Sequence, residues 1–261
     1  MVSLAQHIPN TVGAWFRGDH TGVRVDFRLF CFPYAGGGAM VYRDWADRLP
    51  STVQVIPVEL PGRGARLKEP PFVSLPPLID ALTEFIIPLL DAPFCFFGHS
   101  MGALIAFELT RRLRRQHDIK PQLLFVAGRR PPQIPDSDPA TYDLPDDEFV
   151  AELHRINGIS KEVLEHRELM ELFTPLLRAD FQLTQTYEYC DDVPLHCPII
   201  AYGGLDDQDV TRDLLSQWER QTTSRFALHM LPGDHFFLRS SRNLLLEMLT
   251  RELNKLIVPS R

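Results

Sequence analysis

The sequence predicts an α/β protein with a mostly parallel sheet and helices on both faces. Three observations carry the prediction. Short β-like runs alternate with longer helix-like ones. Several of the short runs are apolar throughout, as strands covered on both faces are. The segments between them space apolar residues three to four apart, the period of an amphipathic helix.

In chain order, strands are expected at Arg28–Phe32, Val53–Val58, Phe94–Phe97, Leu123–Ala127, Ile199–Tyr202 and Phe226–Leu231. Helices are expected at Leu75–Leu90, Met101–Arg115, Thr211–Gln221 and Ser240–Ile257. One connection is far longer than a crossover needs. About seventy residues separate Gly128 from Pro198, whereas a dozen or so suffice. It opens with a proline-rich stretch, Arg129–Pro145, expected to be extended because each proline removes an amide donor and restricts the residue before it. Helical patterns follow at Asp146–Ile156 and Lys161–Tyr189, with more apolar surface than a free-standing hairpin can hide. The expectation is a helical lid insertion, about residues 129–193, over an apolar cleft; an ordinary extra helical layer is the alternative.

Composition bounds the rest. Hydrophobic residues make up 44% and charged residues 23% of the 261 positions, as in soluble globular domains, and the whole of 1–261 is read as one domain. A formal charge of −7 and arginines spaced along a helix face (Arg111, Arg112, Arg114, Arg115) speak against nucleic acid. No run approaches the roughly 18 apolar residues of a membrane span. Met1–Phe27 lacks a basic start followed by an apolar run, so a cytoplasmic chain is expected. The four cysteines, Cys31, Cys95, Cys190 and Cys197, have no zinc-like spacing, so neither disulfide nor metal is expected.

Gly98-His99-Ser100-Met101-Gly102 matches G-x-S-x-G between an apolar strand and a helix. That context defines a nucleophile elbow, which raises a serine hydroxyl above the end of a sheet. A serine hydroxyl is a weak nucleophile, so a general base and a group that orients it are required. In α/β-hydrolases the order is Ser, acid, His. Of the nine histidines, His235 alone follows a late strand and turn. The acid is expected after Ile199–Tyr202, where Asp206, Asp207 and Asp209 are all available. The loop Phe32-Pro33-Tyr34-Ala35-Gly36-Gly37-Gly38 after the first strand can supply an oxyanion-hole amide beside that of Met101. It lacks the Gly-Lys-Ser/Thr ending of a phosphate loop, and no G-x-G-x-x-G is present.

The chain resembles the type II thioesterases that accompany polyketide synthases and nonribosomal peptide synthetases, relatives of the medium-chain fatty-acyl thioesterases. The resemblance runs from about Leu29 to Leu256. It is carried by Phe32–Gly37, Leu60-Pro61-Gly62-Arg63-Gly64, Phe97–Gly102, Pro175-Leu176-Leu177-Arg178-Ala179-Asp180-Phe181, Gly203-Gly204 with Asp207, and Gly233-Asp234-His235-Phe236-Phe237. It implies an α/β-hydrolase fold with a helical lid, Ser100, Asp207 and His235 as catalytic residues, and the amides of Ala35 and Met101 as the oxyanion hole. Asp206 stays as the alternative acid, because Gln208 stands where the family commonly has proline. The implied activity is hydrolysis of acyl thioesters from the phosphopantetheine arm of an acyl or peptidyl carrier protein, through an acyl-enzyme, by a monomer without a cofactor. Arg129 and Arg130 are candidates for the docking contact with the carrier. The alternatives are a medium-chain acyl thioesterase, another ester-cleaving serine hydrolase, or a non-enzymatic scaffold.

Overall fold

The computed structural model describes residues 8–17, 25, 27–136, 139–155 and 166–257. Six strands, β1 (Phe27–Phe32), β2 (Val53–Pro57), β3 (Phe94–His99), β4 (Leu123–Ala127), β5 (Ile199–Gly204) and β6 (Phe226–Leu231), form a sheet in the order β2-β1-β3-β4-β5-β6. Every adjacent pair is parallel. Parallel pairing rules out tight hairpins, so the chain crosses over between strands. The helices are α1 (Ile8–Trp15), α2 (Leu75–Ile86), α3 (Met101–His117), α4 (Asp146–Arg155), α5 (Arg167–Gln185), α6 (Arg212–Ser216), α7 (Phe237–Ser240) and α8 (Arg242–Ile257).

The continuously apolar strands still alternate in the core they feed, because successive side chains point to opposite faces. Phe30, Phe32 and Phe96 join Leu78 and Leu82 of α2 and Leu104 and Phe107 of α3 in one core. Leu29, Cys31, Phe97 and Phe125 join Leu245, Leu249 and Leu253 of α8 in the other. The rings meet edge-on, as Phe32 and Phe96 do at 5.4 Å between centroids. Truncating such a phenylalanine to alanine costs about 3–5 kcal/mol.

The strand order decides where a site can form. From β1 the chain moves outward to β2 and then returns to β3 on the other side of β1. Loops leaving the carboxyl ends of β1 and β3 therefore diverge and leave a crevice, the usual ligand position in open α/β sheets. The register pairs Phe32 with Gly98. That pairing brings the Tyr34–Gly38 loop and Ser100 to the same end of the sheet.

The structure moves several expected boundaries. Pro88 has no amide to continue α2, so the helix stops at Ile86 and a 3-10 turn covers Ile87–Leu89. The expected helix from Ser240 is broken at Ser241 into α7 and α8. The segment expected as one helix from Thr211 is α6 followed by a 3-10 stretch, Gln217–Gln221. In the long insertion, the expected ends at Ile156 and Lys161 lie outside the described residues. α5 ends at Gln185, and Tyr187 turns back to donate its hydroxyl to Glu108 of α3 at 2.8 Å. α5 is also unequal along its length. Leu169 and Leu172 are exposed, whereas Leu177 and Asp180 are buried and Leu183 enters the main core.

Among the described residues no helix is long and apolar enough to cross a membrane. Cys31 and Cys95 are buried thiols whose pKa values burial pushes up.

Candidate active site

Ser100 sits between the last residue of β3 and the first of α3, at φ 52° and ψ −115°. A non-glycine residue at positive φ is strained, so its surroundings must impose the conformation. They do so by contact. A Cβ on Gly98 would lie 2.2 Å from the Gly102 carbonyl oxygen, and one on Gly102 would lie 2.1 Å from that of Phe32. The Ser100 amide donates to the Ala127 carbonyl at 2.8 Å, tying the turn to β4. α3 then points its amino end, with its partial positive charge, at the space above Ser100.

The loop after β6 brings His235 to the same crevice. Its Nδ1 is 2.7 Å from Asp207 Oδ2. Asp207 is buried, and its Oδ1 accepts the amides of Asp209 and Val210, each at 3.0 Å. Burial raises the Asp207 carboxyl, but the bond from His235 and the two amide bonds outweigh it and hold the pKa below the ordinary carboxylate range. Asp206 is exposed and joins the turn through its own amide, which donates to the Gly233 carbonyl at 2.9 Å. Of the aspartates in this loop, Asp207 is the one bonded to His235.

Ala35, Ser100, Met101 and His235 line one cavity of about 160 Å³. Neither the Ala35 nor the Met101 amide has an acceptor among the described residues. Ser100 and His235 face the cavity without a closed hydrogen bond between them, the loose geometry common in unliganded hydrolases, where the contact tightens around substrate. Four of the five residues picked out in the sequence thus line one cavity, and the fifth, Asp207, is bonded to His235.

The cavity wall is mixed, with Met101, Pro139 and Val210 among its apolar residues. It carries Arg129, Arg130, Asp136, Glu152, Arg155 and Asp209, with Phe181, Thr184 and Gln185 of α5. Most of these charges are paired: Arg130 with Asp136, and Arg155 with Glu152 and Asp209. Arg129 lies within the field of Asp136, and burial pushes its guanidinium down to about 10. Arg129 and Arg130, the candidate docking contacts, are both half-buried and line this cavity, and Trp218 Nε1 donates to the Arg129 carbonyl at 2.8 Å.

Two features carry no spacing signal that sequence reasoning could have used. His99 is fully buried beneath the crevice, and its Nε2 lies 2.9 Å from the His235 carbonyl oxygen. Burial drives its pKa down to about 3, so the ring is neutral and Nε2 carries the proton given to that carbonyl. The second is an ion pair between Arg63 and Asp180, at 2.7 Å and buried on both sides.

The thioesterase domain family model matches residues 27–255. The gramicidin S biosynthesis protein GrsT of Aneurinibacillus migulanus is 42% identical over 95% of this chain and 97% of its own length. Among solved structures, the RedJ thioesterase from the prodiginine biosynthetic pathway of Streptomyces coelicolor superposes with a TM-score of 0.83 at 35% identity, covering 92% of this chain and 98% of that one. The type II thioesterase BorB from the borrelidin biosynthetic cluster gives the same TM-score and coverage at 33% identity. Fold, crevice and family match agree, and the chain belongs to the thioesterase family of α/β-hydrolases.

Proposed function

We propose that this thioester hydrolase releases acyl groups from the phosphopantetheine arm of carrier proteins in a polyketide or nonribosomal peptide pathway, acting there as an editing enzyme. The observation that carries the reading is the Asp207–His235 bond at the edge of a cavity that also holds Ser100 and two unused amides. His235 takes the Ser100 proton as Oγ attacks the thioester carbonyl. The oxyanion rests on the amides of Ala35 and Met101. The C–S bond breaks, and His235 returns the proton to the pantetheine thiol. Water, deprotonated by His235, then attacks the acyl-enzyme and releases the free acid together with the Ser100 hydroxyl. Asp207 holds the imidazole tautomer and offsets its charge.

Nucleophile, base and electrophilic donors all come from the chain, so the reading calls for no cofactor or metal. It places the enzyme in the cytoplasm, as a monomer, beside its synthase, with the segment around α4 and α5 as a lid. GrsT is by name a gramicidin S biosynthesis protein and BorB a type II thioesterase from a biosynthetic cluster, which supports this assignment.

The test is kcat/KM for one short acyl group on a holo carrier, on coenzyme A and on a small thiol, with Ser100→Ala as control. Preference for the carrier and loss of up to about a million-fold in Ser100→Ala are expected. Equal rates on all three would reject carrier recognition, and a serine probe still labelling Ser100→Ala would reject the nucleophile.

A further inference from the structure

The Ala35 amide is useful only if it points into the cavity, and its own loop partly arranges this. The Gly37 amide donates to the Tyr34 carbonyl at 2.8 Å. That carbonyl and the Ala35 N–H belong to one planar peptide unit and point opposite ways, so holding the first aims the second. A four-residue turn held by one hydrogen bond is a weak support. Gly36 adds to the difficulty, because its φ of +74° lies in the left-handed region, where glycine also has wide freedom.

The missing support comes from α5, more than a hundred residues later. Asp180 Oδ2 accepts the Gly36 amide at 2.7 Å. Both oxygens of that carboxylate are gripped by Arg63, at 2.9 Å from Nη1 and 2.7 Å from Nη2. Arg63 Nη1 also donates to the Gly37 carbonyl at 2.9 Å. One buried ion pair thus holds the peptide unit that enters Gly36 and the one that leaves Gly37. One turn earlier on α5, Leu177 closes over the same glycine, where a Cβ would meet its Cδ2 at 2.6 Å.

A buried carboxylate and guanidinium are costly to desolvate, and fork-to-fork geometry with further hydrogen bonds is what makes them tolerable. As a device for stability alone, an apolar pair would serve as well. What an apolar pair cannot do is hold a backbone amide in a chosen direction. α5 also presents Phe181, Thr184 and Gln185 to the acyl cavity, so the helix that feels the acyl group is the helix that steadies the oxyanion loop.

We propose that Asp180, gripped by Arg63, is a positioning residue that holds the Ala35 amide in its donor-ready direction. Seating α5 on the loop completes the oxyanion hole. The proposal rests on the acyl-enzyme reading above. An acyl group that displaces α5 withdraws the carboxylate from Gly36 and slows its own turnover, whereas one that fits leaves the hole intact.

The experiment compares wild type with Asp180→Asn, Asp180→Ala and Arg63→Ala on a short acyl thioester and on p-nitrophenyl acetate. Rates are expressed per serine counted by fluorophosphonate labelling carried to completion. The expected result is a fall in kcat of about a hundredfold, the scale of losing one oxyanion donor, with KM within threefold. Affinity for an alkyl boronic acid, whose tetrahedral adduct puts an oxygen in the hole, should fall in parallel. A merely structural role would lower Tm and the labelled fraction, but leave kcat per labelled serine and boronate affinity unchanged, and that result overturns the proposal. Hydrogen exchange of the Gly36 amide in the wild type gives a reading independent of variant folding: strong protection is expected, and fast exchange overturns it. Wild type active on the ester but inactive on thioesters would defeat the functional reading while the Asp180 effect is still read on the ester.

Discussion

The His99 ring lies under His235 and donates from Nε2 to its backbone carbonyl at 2.9 Å. His99 belongs to the serine elbow and His235 to the loop after β6, so this bond sets the height of the base relative to Ser100. Tyr34 and Phe237 pack edge-on against the His99 ring, each at 5.5 Å between centroids. His99→Phe keeps the aromatic volume and removes the donor. The expected outcome is a fall in kcat of roughly ten- to a hundredfold with KM little changed, since small misplacements of a catalytic group cost on that scale. A kcat equal to wild type would show that packing alone holds the loop.

The same residue predicts an acid-labile fold. The folded pKa of His99 is depressed to about 3 from an ordinary 6.5, so between those values the unfolded chain binds a proton that the folded chain refuses. Stability from this group is complete above about pH 6.5 and is lost as pH falls toward 3, at up to about 1.4 kcal/mol per pH unit. Asp207, also depressed, adds a loss below the ordinary carboxylate range. Denaturant unfolding between pH 7 and 4 should show a shallower slope in His99→Phe than in wild type. Equal slopes would place the acid sensitivity elsewhere.

Asp207→Asn should lower kcat by about ten-thousandfold, because the amide cannot hold the His235 tautomer as the carboxylate does. Asp206→Asn should cost little, since the Asp206 side chain is exposed and the contribution of that residue to the turn is its amide. Both are read as kcat on a short acyl thioester. Equal losses would mean that the two carboxylates exchange roles.

That pair marks the boundary of what the sequence discloses. The six strands, the elbow at Ser100 and the late His235 were legible because each depends on local pattern: apolar runs, tight glycines, and order along the chain. Among three aspartates within four positions, pattern gives no direction; the bonds from the amides of Asp209 and Val210 and from His235 hold Asp207 inward. The charged cavity wall was hidden for a related reason. Arg129, Glu152, Arg155 and Asp209 come from three separate segments, each of which reads as ordinary surface. Arg63 and Asp180 stood inside quoted motifs, but 117 positions apart, and no periodicity links them.

Motion in the insertion should be divided. The carboxyl half of α5 contributes Leu177, Asp180 and Leu183 to buried contacts, while its amino half exposes Leu169 and Leu172. Phe149 and Leu153 of α4 pack with Met170 and Leu177 of α5 in a small cluster apart from the main core. Opening free energies follow buried contacts, so hydrogen exchange should be faster in α4 and in α5 before Pro175 than from Leu177 onward, where it approaches that of β3 and β4. Uniformly fast exchange over α5 would mean that the whole insertion swings away, Asp180 included. Uniformly slow exchange, unaltered by an acyl analogue, would make it a fixed layer.

The last prediction concerns Arg129 and Arg130. At a surface they would meet an acidic carrier, and their removal would weaken carrier substrates alone, most of all at low salt. In the cavity wall the expectation is different. Arg129 lines the acyl site within the field of Asp136, and Arg130 is engaged with Asp136 at 3.0 Å. Arg129→Ala should therefore change kcat/KM by the same factor for one acyl group on a carrier, on coenzyme A or on a small thiol, with little dependence on salt. It should also shift preference from acetyl toward longer chains, because it removes a charge and opens space in a cavity of about 160 Å³. Arg130→Ala should remove the ion pair to Asp136 from the wall and depress turnover of every substrate. The measurement is a matrix of two variants, three carriers and two chain lengths, at low and moderate salt. A loss confined to the carrier substrate and erased by salt would return both arginines to the docking surface. A loss shared by all three, with chain preference altered only in Arg129→Ala, would fix that residue as a determinant of acyl specificity.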